Sequence, residues 1–402
     1  MERILDENQP RDQAGFRKAF FTTDHMHTLS QIIKKSNEYN LQLCLGFIDY
    51  EKAFYSVEHF AIFDALRKIN INENYIQILE NIYKNATARI HSDNLRSEPF
   101  PINRGVRHPI SPKLFTAAIE EILNFKKSEL SISNGINIDG EILTNLRFAD
   151  DVALLTESTP LMEEQLNTLN IKSKEVGLKM HKGKTKFMTN YENDDTIQTG
   201  SASIVKVQKY KYLGKPTCMK DLTKEEVDIR IRAGWSCFDR NREIFLDKNM
   251  PLFLKKQVYD QCILPTMTYG CQTWSLTKII GNKLRVVQRA MERKILGIKI
   301  KDKIPCKNIR QQTHIKDMVL FADRQKWNWA GHVARMSDNR WTKRATEWQP
   351  KIGKRSRGRQ PLRWSDSIAK VKVRLWHREA GDKNRWRLDA EGYILQWMDE
   401  AS

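Results

Sequence analysis

Three carboxylates stand out as residues that could do chemistry: Asp49 and the adjacent pair Asp150 and Asp151. The pair sits between two mostly apolar runs, 146–149 and 152–155, a pattern that predicts paired strands joined by a tight turn. Such a turn lifts at least one carboxylate above the sheet edge. Asp49 closes another apolar run, 41–48, that reads as a fully buried strand, and a carboxylate at the C-terminal end of a strand is well placed for a site. If these strand ends, 101 positions apart, lie side by side, three hard oxygen donors converge and suit two Mg²⁺ ions, or Mn²⁺. One ion lowers the pKa of an attacking hydroxyl and the other bridges the leaving phosphate, which is nucleotidyl transfer. Lys184 can then protonate a pyrophosphate leaving group. Two other readings use the same residues: a solvated hairpin turn, where Asp is favoured for local hydrogen bonding, and a metal-dependent nuclease.

The elements that must position these groups follow from hydrophobic spacing. Thr22-Thr23-Asp24 supplies a helix cap, and 25–37 carries Met26, Leu29, Ile32 and Ile33 at helical intervals. After the strand 41–48 the pattern predicts helices over 57–69 and 74–86, short strands near 88–91 and 100–103, and a helix over 113–126 introduced by Ser111-Pro112. An Asp139-Gly140 turn marks a hairpin in 137–143. A helix over 160–176 stops at Gly177, and strands follow near 186–190 and 209–213. From about residue 224 the chain reads as helical nearly to its end, with long segments at 225–245, 251–269 and 280–296.

Composition bounds the partners. The 402 residues, 40% hydrophobic, are enough for two or three domains with real cores. Lys and Arg number 68 against 49 Asp and Glu, a net charge of +19, so the chain should attract a polyanion in a salt-sensitive way. Nucleic acid is the first such partner. An anionic membrane surface is the other, but no basic amphipathic helix and no apolar stretch of about 18 residues stands out. The charged N-terminus lacks a signal-peptide core, which points to an intracellular protein of cytoplasm or nucleus. The six cysteines are far apart, without a zinc-like doublet, and read as buried, reduced thiols.

Residues 301–402 hold 24 Lys and Arg against 12 Asp and Glu, together with eight of the ten tryptophans. Aromatic faces among cations can stack bases while the cations meet phosphates. Trp327, Trp376 and Trp397 fall in apolar helical patterns and are assigned to packing, whereas 353–363 reads as an exposed basic loop carrying Lys354, Arg355, Arg357 and Arg359.

Taken in order, these residues resemble the reverse transcriptases of non-LTR, LINE-like retrotransposons, in particular the RTE-type group. Gln13-Ala14-Gly15-Phe16-Arg17 resembles the fingers motif, Phe47-Ile48-Asp49-Tyr50-Glu51-Lys52-Ala53-Phe54 the first catalytic motif, and Phe148-Ala149-Asp150-Asp151 the metal-binding box. Gly105-Val106-Arg107 with Ser111-Pro112 resembles the template and nucleotide motif, Gly177-Leu178-Lys179 with Lys184-Thr185 the next, and Tyr212-Leu213-Gly214 the primer grip. The segment from Trp329-Ala330-Gly331-His332 through Gly358-Arg359-Gln360-Pro361 and Arg363-Trp364 resembles the nucleic-acid-contacting tail that follows the thumb.

The resemblance implies an α+β right-hand polymerase: partial fingers in 1–40, a palm in 41–222, a helical thumb in 223–300 and a basic extension in 301–402. It implies that Asp49, Asp150 and Asp151 ligate Mg²⁺ and that Lys184 is the general acid. Phe54 would gate the ribose 2′-hydroxyl, while Arg17, Arg107 and His108 would border the nucleotide. RNA template, DNA primer and deoxynucleoside triphosphates are the implied partners. Two departures bear on activity. Tyr55 follows Phe54 where the family reads Asp, and Gly105-Val106-Arg107-His108-Pro109 is two residues shorter than the family's loop, with His108 in place of Gln. Each residue spans about 3.3 Å, so the loop's path should change. The expectation is an N-terminally truncated copy whose polymerase is impaired, the alternative being an inactive nucleic-acid-binding remnant.

Overall fold

The computed structural model describes residues 1–92, 95–106, 111–123, 135–192, 196–200, 202–220, 223–355, 357–358, 360–372 and 376–395. The chain forms two compact units, Met1–Lys220 with Asn339–Ser356, and Asp221–Asp338 with Arg357–Ser402. These bounds differ from the four-part division that the resemblance implies. The basic, Trp-rich segment is not a body of its own: residues 339–356 fold into the first unit and the remainder into the second.

The first unit is built on a four-stranded antiparallel sheet of β1 (Cys44–Ile48), β2 (Asn145–Phe148), β3 (Asp151–Thr156) and β4 (Lys186–Thr189), in the order β4-β1-β3-β2. Because side chains alternate across a strand, the apolar run of β1 feeds two cores. Cys44 and Ile48 join Val152, Leu154 and Phe187 on one face, while Leu45 and Phe47 join Ala153, Leu155 and Met188 on the other. A strand buried on both sides needs a continuous apolar sequence, which is what 43–48 provides.

Helices cover both faces. Helix α1 (Thr22–Glu38) lays Leu29, Ile32 and Ile33 on the second face. The cap at its start is not Thr22: the Asp24 carboxylate accepts from the Phe21 amide at 2.8 Å, so Phe21 is the capping position. On the first face lie α2 (His59–Lys68), α3 (Ser111–Leu123) and α4 (Thr159–Glu175), through Ile62 and Leu66, Leu114 and Phe115, and Met162 and Leu166. The glycine at position 46 lets α4 come close, since a Cβ there would stand 2.6 Å from the Met162 sulfur. Helix α4 ends at Gly177, whose φ of +80° suits the left-handed turn that releases the chain toward Lys184.

The returning segment 339–356 completes the second face. Its short helix Trp341–Glu347 buries Trp341 and Ala345, with Trp348 just beyond, beside Ile32 and Leu155. Lys35 donates to the carbonyls of Ala345 (2.8 Å) and Thr346 (2.9 Å) and to that of Trp348, placing a cation at this helix's C-terminus. Arg340 pairs with the buried Asp24 at 3.4 Å. The hairpin β5 (Tyr210–Tyr212) and β6 (Lys215–Thr217) turns through Leu213 (φ +48°) and Gly214 (φ +76°).

The second unit is helical, with α5 (Thr223–Arg240), α6 (Lys278–Leu296), α7 (Met318–Ala334) and α8 (Lys383–Leu395) as its long members. The expected helix over 251–269 is instead Leu252–Val258, a wider π turn Tyr259–Ile263, and Leu264–Met267. Pro265 explains the change, because it lacks the amide that would continue the regular ladder and its ring crowds the preceding turn.

Burial agrees with packing for Trp327 and Trp376 and overturns the view of the other described tryptophans of 301–402 as base-stacking platforms. Trp327, Trp329, Trp341, Trp348, Trp364, Trp376 and Trp386 are all buried, and Trp397 lies outside the described residues. Trp327 and Trp386 stack at 4.0 Å and each indole N–H donates to the other's carbonyl, at 2.8 and 3.0 Å, so ring and polar edge are both satisfied inside the core. All six cysteines are free thiols, but Cys306 is exposed and Cys262 only half-buried. Among the described residues no helix is long and apolar enough to cross a membrane.

Candidate active site

The sheet brings the three carboxylates to one edge. In the β1–β3 ladder Ile48 faces Val152, so the next opposed positions, just past the last ladder pair, are Asp49 and Asp151. In the β2–β3 ladder Phe148 faces Asp151, which leaves Ala149 and Asp150 as the two residues of the turn. Ala149 has φ +58°, a left-handed conformation that costs an alanine about 1–2 kcal/mol and that surrounding contacts must hold.

Those contacts come from residues 12–15. Gln13 is completely buried, and its Oε1 accepts from the Ala149 amide at 2.9 Å while its Nε2 donates to the Ala149 carbonyl at 3.3 Å. Gly15 fits against the same peptide, since a Cβ there would stand 2.3 Å from the Ala149 nitrogen. The sequence reading placed Gln13 and Gly15 in the fingers and saw no role for either at the carboxylates. No local spacing links position 13 to position 149.

Asp49 is held from behind. Its carbonyl accepts from the His181 amide at 2.8 Å, its amide reaches the buried Thr185 hydroxyl at 3.4 Å, and Tyr50 bridges to Met180. The loop after Gly177 thus brings Lys184 to the site, with Nζ 3.7 Å from Asp49 Oδ1. Tyr210 is a further neighbour that the sequence reading passed over. Its ring stacks on Phe47 at 4.4 Å, and burial, with the charges of Asp49 and Asp151 added, pushes its hydroxyl up to about 12.

The carboxylates feel one another. Asp151 is pushed up to about 6, first by lost hydration and then by the charges of Asp150 and Asp49, although its side chain is open to solvent on one side. Asp150 is also raised, by burial and by Asp49. Both groups therefore hold a proton more tightly folded than unfolded, so each contributes stability that is lost as pH rises through its folded pKa, which for Asp151 is about 6. Between pH 4 and pH 7 the melting temperature of Asp151→Asn should gain steadily on the parent protein, and a parallel pair of melting curves would contradict this coupling.

The donor set of three carboxylates suits a hard divalent cation, which would relieve the same repulsion. It is an open shelf rather than a finished cage. Among the described residues no group of three or more His, Cys, Asp or Glu side chains already stands at metal-holding geometry.

The remaining expected site residues are distributed as follows. Phe54 is half-buried, stacked on Phe115 at 4.3 Å with Phe16 edge-on at 6.1 Å. Its carbonyl accepts from Val106 at 2.7 Å, and Gly105, with φ +86°, packs against the Tyr55 backbone. Arg107 and His108 lie outside the described residues. Arg17 donates to the Pro10 carbonyl at 3.1 Å and lies over Phe20. Tyr212 is buried with its hydroxyl 3.4 Å from the Leu146 carbonyl, so it braces the sheet, while Leu213 and Gly214 are half-buried in the turn. Lys354 and Arg357 are exposed, Arg355 pairs with Glu38 at 2.5 Å, and Arg359 lies outside the described residues.

Residues 1–216 match the family model described as reverse transcriptase (RNA-dependent DNA polymerase). The chain belongs to the reverse transcriptase family. Its four-stranded antiparallel sheet with packed helices is the palm of a right-hand polymerase. A putative uncharacterized transposon-derived protein of Caenorhabditis elegans is 32% identical over 269 residues, 62% of this chain and 96% of the worm protein. A Pol polyprotein from a type-2 retrotransposable element of Drosophila melanogaster is 26% identical over 220 residues, covering 50% of this chain and 20% of that protein. The RNA-directed DNA polymerase from the mobile element jockey of Drosophila funebris is 24% identical over 324 residues, 74% of this chain and 34% of that protein. These names agree with the LINE-like affiliation read from the motifs. The chain spans about a third or less of the two Drosophila proteins. Apo telomerase from Candida tropicalis aligns with a TM-score of 0.42 at 11% identity, over 81% of this chain and 54% of that one.

Proposed function

We propose that this reverse transcriptase chain carries out RNA-directed DNA synthesis, adding deoxynucleotides to a primer 3′-hydroxyl. In the reaction a bond forms between the primer 3′-oxygen and the α-phosphorus, and the bond from the α-phosphorus to the β-phosphate oxygen breaks to release pyrophosphate. Asp49, Asp150 and Asp151 are the residues that would hold two Mg²⁺ ions, which when bound supply activation of the hydroxyl and charge neutralisation on the phosphates. The observation that carries this reading is the register that sets Asp49 opposite Asp151, with Asp150 on the adjoining turn.

The chain's own groups do the rest. Lys184 Nζ, beside Asp49, is placed to pass a proton to the departing pyrophosphate. Phe54, stacked on Phe115, would wall the pocket for the sugar. The net charge of +19 supports an RNA template and a DNA primer as partners, with Lys354, Arg355, Arg357 and Arg359 as phosphate contacts.

Primer extension by the purified full chain on an RNA template tests the reading. Product that requires deoxynucleotides and a divalent ion is expected. Salt-sensitive RNA binding with no extension would instead mark an inactive nucleic-acid-binding remnant, the outcome that the shortened 105–109 segment favours. Shortening Phe54 to alanine should weaken discrimination against ribonucleotides by about ten- to a hundredfold, the range for removing a close apolar contact. Incorporation ratios of matched ribo- and deoxynucleotides measure it, and an unchanged ratio removes Phe54 from the sugar pocket.

A further inference from the structure

The two peptide groups that flank a hairpin turn are tied by the strand ladder, but the amide and carbonyl of the first turn residue point away from it. At Ala149 both are taken by one side chain, Gln13, which accepts at 2.9 Å and donates at 3.3 Å. The Gln13 oxygen is itself fixed by the Gly15 amide at 2.9 Å. Its backbone is pinned on either side, with the Arg147 amide on the Asp12 carbonyl and the Ala14 amide on the Arg147 carbonyl, both at 2.8 Å. Below the turn, the missing side chain of Gly15 leaves room for the Ala149 nitrogen and nothing larger. A peptide so gripped cannot rotate about the Phe148–Asp151 closure, and rotation there is the motion that would swing the neighbouring Asp150 carboxylate.

We propose that Gln13 is a positioning residue of the polymerase site: its side-chain amide locks the left-handed Ala149 peptide and so fixes the direction of Asp150. Gln13 touches no reacting atom, and its action runs through Ala149 alone. Its role in catalysis rests on the polymerase reading, whereas the lock itself does not. A slackened turn leaves nucleotide and template binding as they were and slows the chemical step, because misplacement of a reacting group by about 1 Å loses on the order of a hundredfold in rate.

The test compares the full chain with Gln13→Met, which keeps the length and apolar volume but removes all three hydrogen bonds. Two quantities are read: single-nucleotide incorporation, resolved into kcat and KM, and hydrogen–deuterium exchange of the peptide covering 146–152. A fall of about a hundredfold in kcat with unchanged KM, and faster exchange at 149, is the expected result. Equal kcat in the two proteins overturns the positioning role. If the parent chain extends no primer, the polymerase reading fails and the catalytic role of Gln13 falls with it. The lock is still judged by exchange, where identical rates at 149 refute it. Should Gln13→Met not fold, Gln13→Glu in its ionised form keeps both accepted bonds and turns the one donated to the Ala149 carbonyl into an oxygen–oxygen repulsion, so it is read at pH 8. Its kcat should fall with KM held, and parent-like kcat and exchange would equally overturn the proposal.

Discussion

Asparagine at position 150 should abolish nucleotide incorporation while leaving the protein folded. The exchange keeps the shape of a half-buried turn residue and removes one anionic oxygen from the edge where Asp49 and Asp151 converge. Charge stabilisation from a bound divalent ion is worth several kcal/mol in the transition state, which converts to about a thousandfold or more in rate. Stability should move the other way. Burial and the Asp49 charge both raise the Asp150 carboxyl, so at neutral pH its ionised form opposes folding, and a neutral amide removes that opposition. An equal or higher melting temperature together with lost incorporation is therefore the expected pair of results. Incorporation retained within about tenfold of the parent, too little for a lost metal ligand, would deny Asp150 that role.

Local patterning made this site partly legible. The run 41–48 could be read as a strand buried on both faces because apolar residues dominate it, and Asp49 could be read as its end, although the strand itself is Cys44–Ile48 and the polar Gln42 is exposed. The Asp150 hairpin, the Gly177 stop and the helix of 160–176 follow from turn and cap chemistry that acts over a few residues. What escaped was long-range. Gln13 and Ala149 are joined by a side-chain amide across 136 positions, and no periodicity encodes such a bond. Residues 339–356 return to the first unit through contacts such as Trp341 with Asp12 and Arg344 with Glu141, which composition had assigned to a separate basic extension. The tryptophans show a different limit. A tryptophan among arginines has the same sequence signature whether it stacks on a base or packs in a core, so Trp327 could be assigned to packing from its apolar helical pattern while Trp348 and Trp364 could not. Pro265 lies inside the regular apolar spacing of 251–269, and the amide it lacks widens the turn there without ending the helical course.

The largest loss of stability from one substitution should come from Arg147→Met. Arg147 lies in β2, one residue before the Phe148 that closes the Ala149–Asp150 turn, with its side chain 1% exposed and paired with Glu120 at 2.6 Å and Asp12 at 3.4 Å. Methionine fills the space but strands the Glu120 carboxylate beside an apolar core and leaves Asp12 with the Trp341 indole N–H in place of an ion pair. Breaking a buried pair in this way costs about 3–5 kcal/mol, and because Glu120 and Asp12 each keep a little solvent contact the lower end of that range is expected. The loss should depend on pH in a defined direction. Burial already raises the Glu120 carboxyl and Arg147 is what pulls it back down, so without the arginine Glu120 titrates higher still. Its folded-state pKa then lies above the unfolded value, and the penalty grows as pH rises through the folded pKa and shrinks as pH falls below it. Denaturant unfolding at pH 5 and pH 8 should thus show a smaller difference from the parent at pH 5. Adding Glu120→Gln to Arg147→Met should recover part of the stability, since it removes the group left without a partner. If the double variant is as unstable as the single one, the Arg147 side chain acts through packing, and the ion pair is not what steadies the strand beneath the turn.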